Sequence, residues 1–284
     1  MSINFIKPVV SVCIPTYMGA NFIGTAIESV LNQTFSNFEL IIIDDNSTDA
    51  TENIIGKYKD SRIRFLRNNL TLGPEGNWNR CLSEARGRYF KLLPQDDLIV
   101  SNCLESQVAV LEADTEEGIA LVFCARTIID SLGSTIMLRN YPQHQGGQIS
   151  SRSAIRSSLR FGTNLIGEPG GVLFRKSLAD KVGGFDASIG YIVDLDYWFR
   201  LLVHGDAYYL AEKLVSFRVS LGSWSFAIGN NQCTDFSRFI DRVAANPAYD
   251  IDKTIFITGK VMARANNLLR LLLYKFLQMR DKQL

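Results

Sequence analysis

The chain has 284 residues, a formal net charge of +1 and 46% hydrophobic residues. This length accommodates one large α/β domain or two small ones, and the apolar content excludes an intrinsically disordered chain. A net charge near zero argues against general nucleic-acid binding, which needs a basic surface. The five cysteines are scattered without a CxxC pair, and the two histidines lack ligand spacing to any of them, so no zinc site is expected.

The first half of the chain alternates between strand and helix patterns. This alternation predicts right-handed βαβ crossovers and a mostly parallel, Rossmann-like sheet flanked by helices. The predicted strands are residues 9–14, 38–43, 63–66, 89–93 and 119–124. The predicted helices are residues 21–32, a segment from a cap at 47–49 towards Tyr58, residues 74–85 closed by Gly87, and residues 101–113.

The pattern changes after about residue 130. Residues 131–151 are predicted to form a loop or a small hairpin, and residues 208–219 a strand, a turn and a second strand. The other predicted elements are helices at 153–161, 176–182 and 195–204, a strand at 170–174, a loop at 220–233, and a helical tail from 235 that breaks at Asn246-Pro247.

Two of the predicted strands end on paired carboxylates, Asp44-Asp45 and Asp96-Asp97. Ligands of α/β proteins bind outside the carboxyl ends of the strands, and carboxylate oxygens suit Mg²⁺ or Mn²⁺. We therefore expect one polar, metal-compatible site, with Asp45 directed at a base or ribose. The alternatives are a solvated turn after the later strand and helix capping by residues 44–49.

A third acidic segment, Asp194-Leu195-Asp196, opens a predicted helix after the glycine-rich residues 183–190. A flexible approach of this kind can bring one carboxylate into a cleft, where Asp194 is the better candidate for a general base. The alternative is that both acids only stabilise the start of the helix through its dipole.

Cationic and amide side chains supply further candidates for nucleotide binding. Asn79 and Arg80 follow a glycine-rich stretch and are expected to reach a base or phosphate, unless the segment is an ordinary helix start. Arg218, together with Ser220, Ser223, Trp224 and Ser225, is expected to form a lid over phosphates, unless it belongs to a plain surface loop.

No segment has the pattern of a signal peptide or of a helix that spans a bilayer, since Arg270 and Lys275 interrupt the longest apolar candidate, residues 268–277. We expect a cytoplasmic protein that is soluble or bound peripherally at the inner face of the membrane. The basic amphipathic segment 260–282 predicts either contact with an anionic membrane or packing on its own domain or on a partner subunit.

A set of short motifs runs in a fixed order through residues 8–225. The motifs are residues 10–17 (VSVCIPTY), 29–35 (SVLNQTF), 39–49 (ELIIIDDNSTD), 87–89 (GRY) leading to Asp96-Asp97, 183–186 (GGFD), and Asp194 with Arg200. Together they resemble the family 2 glycosyltransferases, which have the GT-A fold. The resemblance implies an inverting enzyme that uses a nucleotide-sugar, with UDP as the expected nucleotide, and Mg²⁺ or Mn²⁺.

The resemblance also implies roles for individual residues. Pro15, Thr16, Tyr17 and Asp45 would line the nucleoside pocket, and Asp194 would be the catalytic base. Asp96 would lie near the ribose or donor sugar, and Asp97 would hold the metal on the diphosphate. Pro94 stands where many members of the family have the first aspartate of Asp-x-Asp-Asp, so metal binding would rest mainly on Asp97 with help from Asp96.

The resulting hypothesis is sugar transfer to a glycan or lipid-linked acceptor in bacterial surface-polysaccharide (O-antigen or capsule) assembly. It places a GT-A domain at residues 1–232, with a nucleotide-binding half at about 8–130 and an acceptor half at about 131–232, and a helical extension at 233–284. Nucleotidyl transfer is an alternative, but the first strand lacks a basic glycine-rich loop after it. A non-catalytic nucleotide-sugar-binding subunit is another, and the presence of Asp194 beside the metal-site carboxylates argues against it.

Overall fold

A mixed β-sheet forms the centre of the molecule in the computed structural model, which describes residues 7–142, 145–220 and 231–281. The strands are β1 Val10–Thr16, β2 Phe38–Asp44, β3 Ile63–Arg67, β4 Tyr89–Leu92, β5 Leu98–Ile99, β6 Ile119–Ile129, β7 Thr135–Arg139, β8 Gly147–Ile149, β9 Val172–Arg175 and β10 Asp206–Arg218. Their order is β3-β2-β1-β4-β9-β6-β10-β5, and β7 pairs with β6 while β8 pairs with β10.

Helices cover both faces of this sheet. They are α1 Ile23–Leu31, α2 Thr51–Ile55, α3 Gly73–Glu84, α4 Cys103–Ala113, α5 Ser151–Arg160, α6 Lys176–Val182, α7 Val193–Leu202, α8 Gln232–Ala245 and α9 Lys253–Asp281. Short 3-10 turns occupy Pro169–Gly171, Gly190–Ile192 and Pro247–Tyr249. The predicted break at Asn246-Pro247 is confirmed, because the last of these turns separates α8 from α9.

The central strands are apolar on both sides because both faces of the sheet are buried. Val12 and Leu40 belong to the core that includes α1, whereas Cys13 and Ile41 belong to the core that includes α3. The predicted α/β class is confirmed, and β3, β2, β1 and β4 are parallel as expected. The sheet as a whole is mixed, because β9 runs antiparallel to both β4 and β6.

Two of the predicted connections are wrong in detail. Residues 208–218 of the segment predicted as strand, turn and strand belong to the single strand β10. This strand stays paired with β6 along its length, with register shifts at Leu210/Lys213 and Lys213/Val215. The predicted C-terminal role of Gly87 is also wrong, because α3 ends at Glu84 and Gly87 has no positive φ.

The two C-terminal helices pack on the same core as the second half of the sheet. Phe239 and Ile240 of α8 and Ala263 of α9 are buried in one cluster with Trp198 of α7. Close approach of α9 to α5 depends on Gly259, where an added Cβ would lie 2.6 Å from the carbonyl oxygen of Leu159. Within the described ranges, no helix combines the length and the apolar character needed to cross a bilayer.

Gly87 is required because the backbone before β4 crosses directly over β1. An added Cβ at this position would lie 2.5 Å from the backbone nitrogen of Ser11 and 2.7 Å from the carbonyl carbon of Val10. Neither backbone atom can move without disturbing the central strand. We therefore expect Gly87→Ala to lower the free energy of unfolding by about 2–4 kcal/mol, as measured by chemical denaturation.

The matched control is Gly56→Ala, at the end of α2. The nearest atom to its added Cβ is the Glu52 carbonyl oxygen at 3.4 Å, and its φ of −61° suits alanine. The stability of this variant should stay within about 1 kcal/mol of the parent. Equal stability of the two variants would contradict the steric role assigned to Gly87.

Candidate active site

The carboxyl ends of β1, β2, β4 and β10 converge at one edge of the sheet. The Asp45 backbone nitrogen donates to the Thr16 carbonyl oxygen at 2.8 Å, which joins the ends of β1 and β2. Gln95, after β4, accepts from the Thr16 hydroxyl at 2.5 Å and from the Tyr17 backbone nitrogen at 2.9 Å. The segment that contains Pro15, Thr16 and Tyr17 is thereby fixed beside the acidic end of β4, with the Tyr17 ring half exposed.

Asp45 is buried and organises the loop that leads into α3. Its carboxylate accepts hydrogen bonds from the Asn68 side chain at 2.5 Å and from the backbone nitrogens of Leu72 and Gly73 at 2.8 and 2.9 Å. Both oxygens are therefore already used within the protein. The expected contact of Asp45 with a base or ribose stays a prediction, and it requires one of these bonds to be shared or exchanged.

Arg80 and Asn79 occupy different environments although they are neighbours in sequence. Arg80 donates to the Asn68 side chain, so it lies beside the loop that Asp45 holds. Asn79 instead forms two hydrogen bonds with Phe185. Its Nδ2 donates to the Phe185 carbonyl oxygen at 3.0 Å, and its Oδ1 accepts from the Phe185 backbone nitrogen at 2.7 Å. This geometry gives Asn79 a positioning role for the glycine-rich segment 183–186, and its expected contact with a nucleotide stays untested.

Asp97 is fully buried, and one of its oxygens has no hydrogen-bond partner. Its Oδ1 accepts from the Arg218 backbone nitrogen at 2.9 Å, whereas Oδ2 is unsatisfied within the described part of the chain. Burial raises the pKa of Asp97 well above its ordinary value, and the neighbouring Asp96 charge raises it further. Burial also raises the pKa of the partly exposed Asp96. A buried pair of this kind is favourable when a cation stands nearby.

Arg218 is the cation that the structure places beside Asp96 and Asp97. Its Nε donates to the Asp96 carbonyl oxygen at 2.9 Å, and its Nη1 donates to the carbonyl oxygens of Asp130 and Ser131 at 2.9 and 3.2 Å. The guanidinium also stacks over Phe22, with 4.7 Å from Cζ to the ring centre. Arg218 therefore locks the end of β10 onto the acidic end of β4. The predicted lid partners Ser223, Trp224 and Ser225 lie outside the described residues.

The residues present fit a divalent metal at Asp97 in one respect. The unsatisfied Oδ2 is an oxygen ligand, and Gly170 lies next to it, where an added Cβ would touch Oδ2 at 3.5 Å. The residues that the structure describes contain no group of three or more His, Cys, Asp or Glu side chains that could hold a metal by themselves. A metal bound here would therefore take its remaining ligands from phosphate and water, as Mg²⁺ commonly does.

Asp194 lies in the first turn of α7, where the charge of Glu168 reaches it. Its Oδ2 accepts from the Asn164 side chain at 2.9 Å and its Oδ1 from the Leu195 backbone nitrogen at 2.7 Å. Burial raises the pKa of Asp194 to about 7, and the negative charge of Glu168 contributes to the shift. A carboxyl that titrates near neutral pH is suited to proton transfer at physiological pH.

Asp196 has a structural role. Its carboxylate forms an ion pair with Arg200 one turn later at 2.8 Å and lies 3.5 Å from Arg242 of α8. Arg200 also donates to the Val182 carbonyl oxygen at 2.7 Å. These contacts connect α7 to α6 and α8. Asp196 is therefore a structural residue, whereas Asp194, two residues earlier, remains the candidate base.

Sequence reasoning missed the residues that connect the two acidic centres. Glu168 precedes the Pro169–Gly171 turn, and its charge raises the pKa of both Asp97 and Asp194. Its Oε2 lies 2.5 Å from Nε of Arg126 in an ion pair. Arg126 in turn donates to the carbonyl oxygen of Asn164 at 3.0 Å. The only local signal is an acidic residue directly before Pro-Gly-Gly, at the start of the strand predicted for residues 170–174.

Comparison with known proteins identifies the fold and the family. A model of glycosyl transferase family 2 matches residues 11–183, which is more than half of the chain. The chain belongs to glycosyl transferase family 2. A matched segment of this chain is 32% identical over 222 residues to an uncharacterized glycosyltransferase of Rickettsia typhi, covering 77% of this chain and 66% of that protein. The chain thus spans just under two thirds of that relative.

A shorter match and two solved structures extend the comparison of this family 2 chain. The Escherichia coli UDP-Glc:α-D-GlcNAc-diphosphoundecaprenol β-1,3-glucosyltransferase WfaP is 42% identical over 105 residues, covering 37% of this chain and 42% of that protein. Staphylococcus aureus TarS in complex with UDP-GlcNAc has a TM-score of 0.67 at 19% identity, covering 83% of this chain and 65% of that chain. The Pyrobaculum calidifontis mannosyltransferase PcManGT in complex with GDP-Man and Mn²⁺ has a TM-score of 0.64 at 16% identity, covering 91% and 70%. The predicted GT-A fold is confirmed.

The raised pKa of Asp194 predicts a pH-dependent loss of stability. A carboxyl whose pKa is higher in the folded than in the unfolded state is favourable while it is protonated, and this contribution is lost as pH rises from about 4 through about 7. Asp194→Asn removes the ionisation. We expect this variant to match the parent near pH 4 and to exceed it by about 2 kcal/mol at pH 8, since partial exposure reduces the full effect.

Denaturant unfolding between pH 4 and 8 measures this difference. The control is Asp180→Asn, which removes an exposed carboxyl from α6 and should leave stability unchanged at both ends of the range. A constant difference between Asp194→Asn and the parent across the pH range would show that the Asp194 carboxyl has an ordinary pKa.

Proposed function

We propose that the protein is an inverting, metal-dependent glycosyltransferase that moves a sugar from a nucleotide-sugar to a hydroxyl group of an acceptor. The observation that carries this proposal is the pairing of two acidic centres around Glu168. Asp97 offers an unsatisfied buried oxygen at the end of β4, and Asp194 offers a carboxyl that titrates near neutral pH at the start of α7. Metal-assisted departure of a diphosphate and deprotonation of an acceptor need these two groups.

On the donor side, Asp97 and Asp96 would hold Mg²⁺ or Mn²⁺ against the diphosphate. When bound, the metal supplies positive charge that stabilises the departing nucleoside diphosphate. Residues 15–17 and the loop between Asn68 and Gly73 border the expected nucleoside pocket. Gln95 fixes the first segment and Asp45 fixes the second, so the pocket is held in place before the donor binds.

On the acceptor side, Asp194 would take the proton of the attacking hydroxyl. Attack from the face opposite the leaving diphosphate inverts the anomeric centre, which is consistent with separate locations for the base and the metal. Asn164 donates to Asp194 Oδ2 and is itself held by two hydrogen bonds to the Gly167 backbone, at 2.8 and 3.0 Å. This network fixes the orientation of the carboxylate before the acceptor arrives.

UDP as the nucleotide and a lipid-linked acceptor are the finer parts of the proposal. The E. coli relative uses UDP-Glc and an acceptor with a diphosphoundecaprenol, and it is 42% identical to this chain where the two match. TarS also has structures with UDP and with UDP-GlcNAc. By this analogy we place the reaction in bacterial surface-polysaccharide assembly on the cytoplasmic side of the membrane.

The experiment that tests the reaction measures UDP release and product mass with UDP-sugars and a synthetic GlcNAc-diphosphate-lipid acceptor. We expect Asp194→Asn to lower turnover by about 10²- to 10⁴-fold while the affinity for the nucleotide-sugar is unchanged, because the base acts only on the acceptor. Asp180→Asn serves as the control with unchanged turnover. Full turnover by Asp194→Asn, or retention of the donor's anomeric configuration in the product, would refute the mechanism.

The metal assignment is tested with the same assay and with thermal stabilisation by UDP-sugars. The parent protein should be stabilised more in the presence of Mn²⁺ than in its absence, and Asp97→Asn should lose this difference. Release of pyrophosphate from a nucleoside triphosphate would instead support nucleotidyl transfer. Donor binding without turnover on any acceptor would support a binding subunit.

Contact of α9 with an anionic membrane is a separate part of the proposal. Ile257, Val261, Leu268 and Leu272 lie on one exposed stripe of this helix at spacings of four, seven and four residues, and Leu268 is 61% exposed. Arg264 and Lys275 are exposed on the same stripe. An amphipathic helix with this composition binds the interface of anionic bilayers.

Sedimentation with vesicles that contain phosphatidylglycerol measures this contact. We expect replacement of both Leu268 and Leu272 by Asp to lower vesicle binding by about tenfold or more, because apolar burial is lost and negative charge is added. Replacement of Leu70, which is equally exposed but lies before α3, should have no effect. Unchanged vesicle binding, or a shift from dimer to monomer in the double variant, would indicate that the stripe instead packs on a second subunit.

A further inference from the structure

Two arginines lie directly opposite each other on adjacent strands near Asp194. Arg126 of β6 and Arg139 of β7 are cross-strand partners in the antiparallel ladder. Like charges in this position repel each other. The Arg126 guanidinium has an anionic partner, because it forms an ion pair with Glu168, and its Nη2 donates to Asn164. Within the described residues, no side chain or carbonyl group accepts a hydrogen bond from the Arg139 guanidinium, and no carboxylate pairs with it.

A third arginine approaches the same region from the C-terminal helix. Arg270 of α9 stacks over the ring of Tyr191, with 5.0 Å from Cζ to the ring centre, and donates to the Gln232 side chain. Tyr191 precedes Asp194 by three residues. Like Arg139, Arg270 has no carboxylate partner among the residues that the structure describes.

The arginine cluster, Arg126, Arg139 and Arg270, carries three positive charges, and three carboxylates, Glu168, Asp194 and Asp235, belong to the same region. Glu168 is paired with one of the three cations, and Asp194 is neutral in part at pH 7. Burial lowers the pKa of Arg139 and the charges of Arg126 and Arg270 lower it further, whereas the negative charge of Glu168 offsets part of this shift. A partly buried arginine without an anion is unfavourable in the free protein, and an anionic ligand would remove the penalty.

We propose that Arg139 and Arg270 bind a phosphate of the acceptor next to the hydroxyl that Asp194 deprotonates. The ion pair between Arg126 and Glu168 would support this phosphate site. This inference rests on the proposed function and names the acceptor class as a sugar joined to a phosphate or diphosphate. Guanidinium groups match phosphate oxygens in a bidentate geometry, which a neutral glycan does not offer. Hydrogen bonds run from Arg126 to Asn164 and from Asn164 to Asp194, and they place the cluster on the acceptor side and apart from Arg218.

The test compares two acceptors that differ only in charge. The first is a short-chain alkyl diphosphate of GlcNAc and the second is the matching alkyl glycoside without phosphate. We expect the parent to use the diphosphate with the lower KM, and Arg139→Ala to raise that KM by about 10- to 100-fold with little change for the neutral acceptor. Arg139→Lys should restore part of the loss, because it keeps the charge but not the bidentate geometry.

A binding measurement separates failure of this inference from failure of the proposed function. The donor site is first saturated with UDP and Mn²⁺, and butyl diphosphate is then titrated. We expect Arg139→Ala to lower the affinity for butyl diphosphate. The control Arg88→Ala, at the opposite end of β4, should leave this affinity unchanged. If no sugar transfer occurs but this arginine-dependent binding is present, the phosphate subsite stands and the proposed reaction fails. If transfer occurs and Arg139→Ala keeps the preference for the diphosphate acceptor, the phosphate subsite is refuted.

Two further readouts exclude other roles for Arg139. Because its cross-strand partner is the like-charged Arg126, Arg139→Ala should fold with unchanged or higher thermal stability. A marked fall in stability with unchanged diphosphate binding would make Arg139 a structural residue and overturn the proposal. Weaker UDP binding in Arg139→Ala, with the acceptor KM unchanged, would place the cluster on the donor diphosphate instead and would also overturn it.

Discussion

The burial of Asp97 is the constraint on which the rest of the site depends. A carboxylate with no exposed surface and one unsatisfied oxygen is unfavourable unless positive charge compensates it. The protein supplies part of that charge through Arg218, which is held by carbonyl oxygens of the segments around it. The ends of β4 and β10 are thereby joined beside Asp97 Oδ2, the oxygen that has no hydrogen-bond partner within the described residues. In the proposed reaction, donor binding would act on the local architecture through this one atom.

The antiparallel strand β9 explains how the second acidic centre comes to lie near the first. Because β9 lies between β4 and β6, the turn that precedes it crosses the same edge of the sheet as Asp97. Glu168 and Gly170 belong to this turn, and Gly170 lies next to Asp97 while Glu168 pairs with Arg126. The negative charge of Glu168 then acts on both Asp97 and Asp194. One short turn thus adjusts the acidity of both the candidate metal ligand and the candidate base.

The parts of the fold that could be predicted are those set by local pattern. The parallel strands, the helices between them and the acidic strand ends follow from apolar runs and caps, and they occur where the sequence indicated. The direction of β9 and the continuity of β10 depend on pairing with distant strands, which no local pattern records. Gly87 was recognised as special for the wrong reason, because its contact with Ser11 is visible only in three dimensions.

The same limit applies to the site. Asp97 and Asp194 stand out in sequence because acids at element ends are informative, and in the structure the charge of Glu168 acts on both. Asn79 looked equally suitable as a ligand contact, yet its amide is used by Phe185, a residue 106 positions away. Arg139 carries no motif at all. Its significance arises only from its pairing with Arg126 across two strands, which a single sequence does not reveal.

In the proposed reaction, the distribution of charge across the site would let two anionic substrates meet at one base. The donor side contains the carboxylates of Asp96 and Asp97, and a metal-bound diphosphate would arrive there nearly neutral. An acceptor phosphate near Asp194 would add negative charge and raise the pKa of this carboxyl above about 7, which would leave it protonated and unable to act as a base at neutral pH. Arg139 and Arg270 would cancel that charge where it arises. The same arginines that bind the acceptor would therefore keep Asp194 ionisable, so acceptor binding and base strength would depend on one group of side chains.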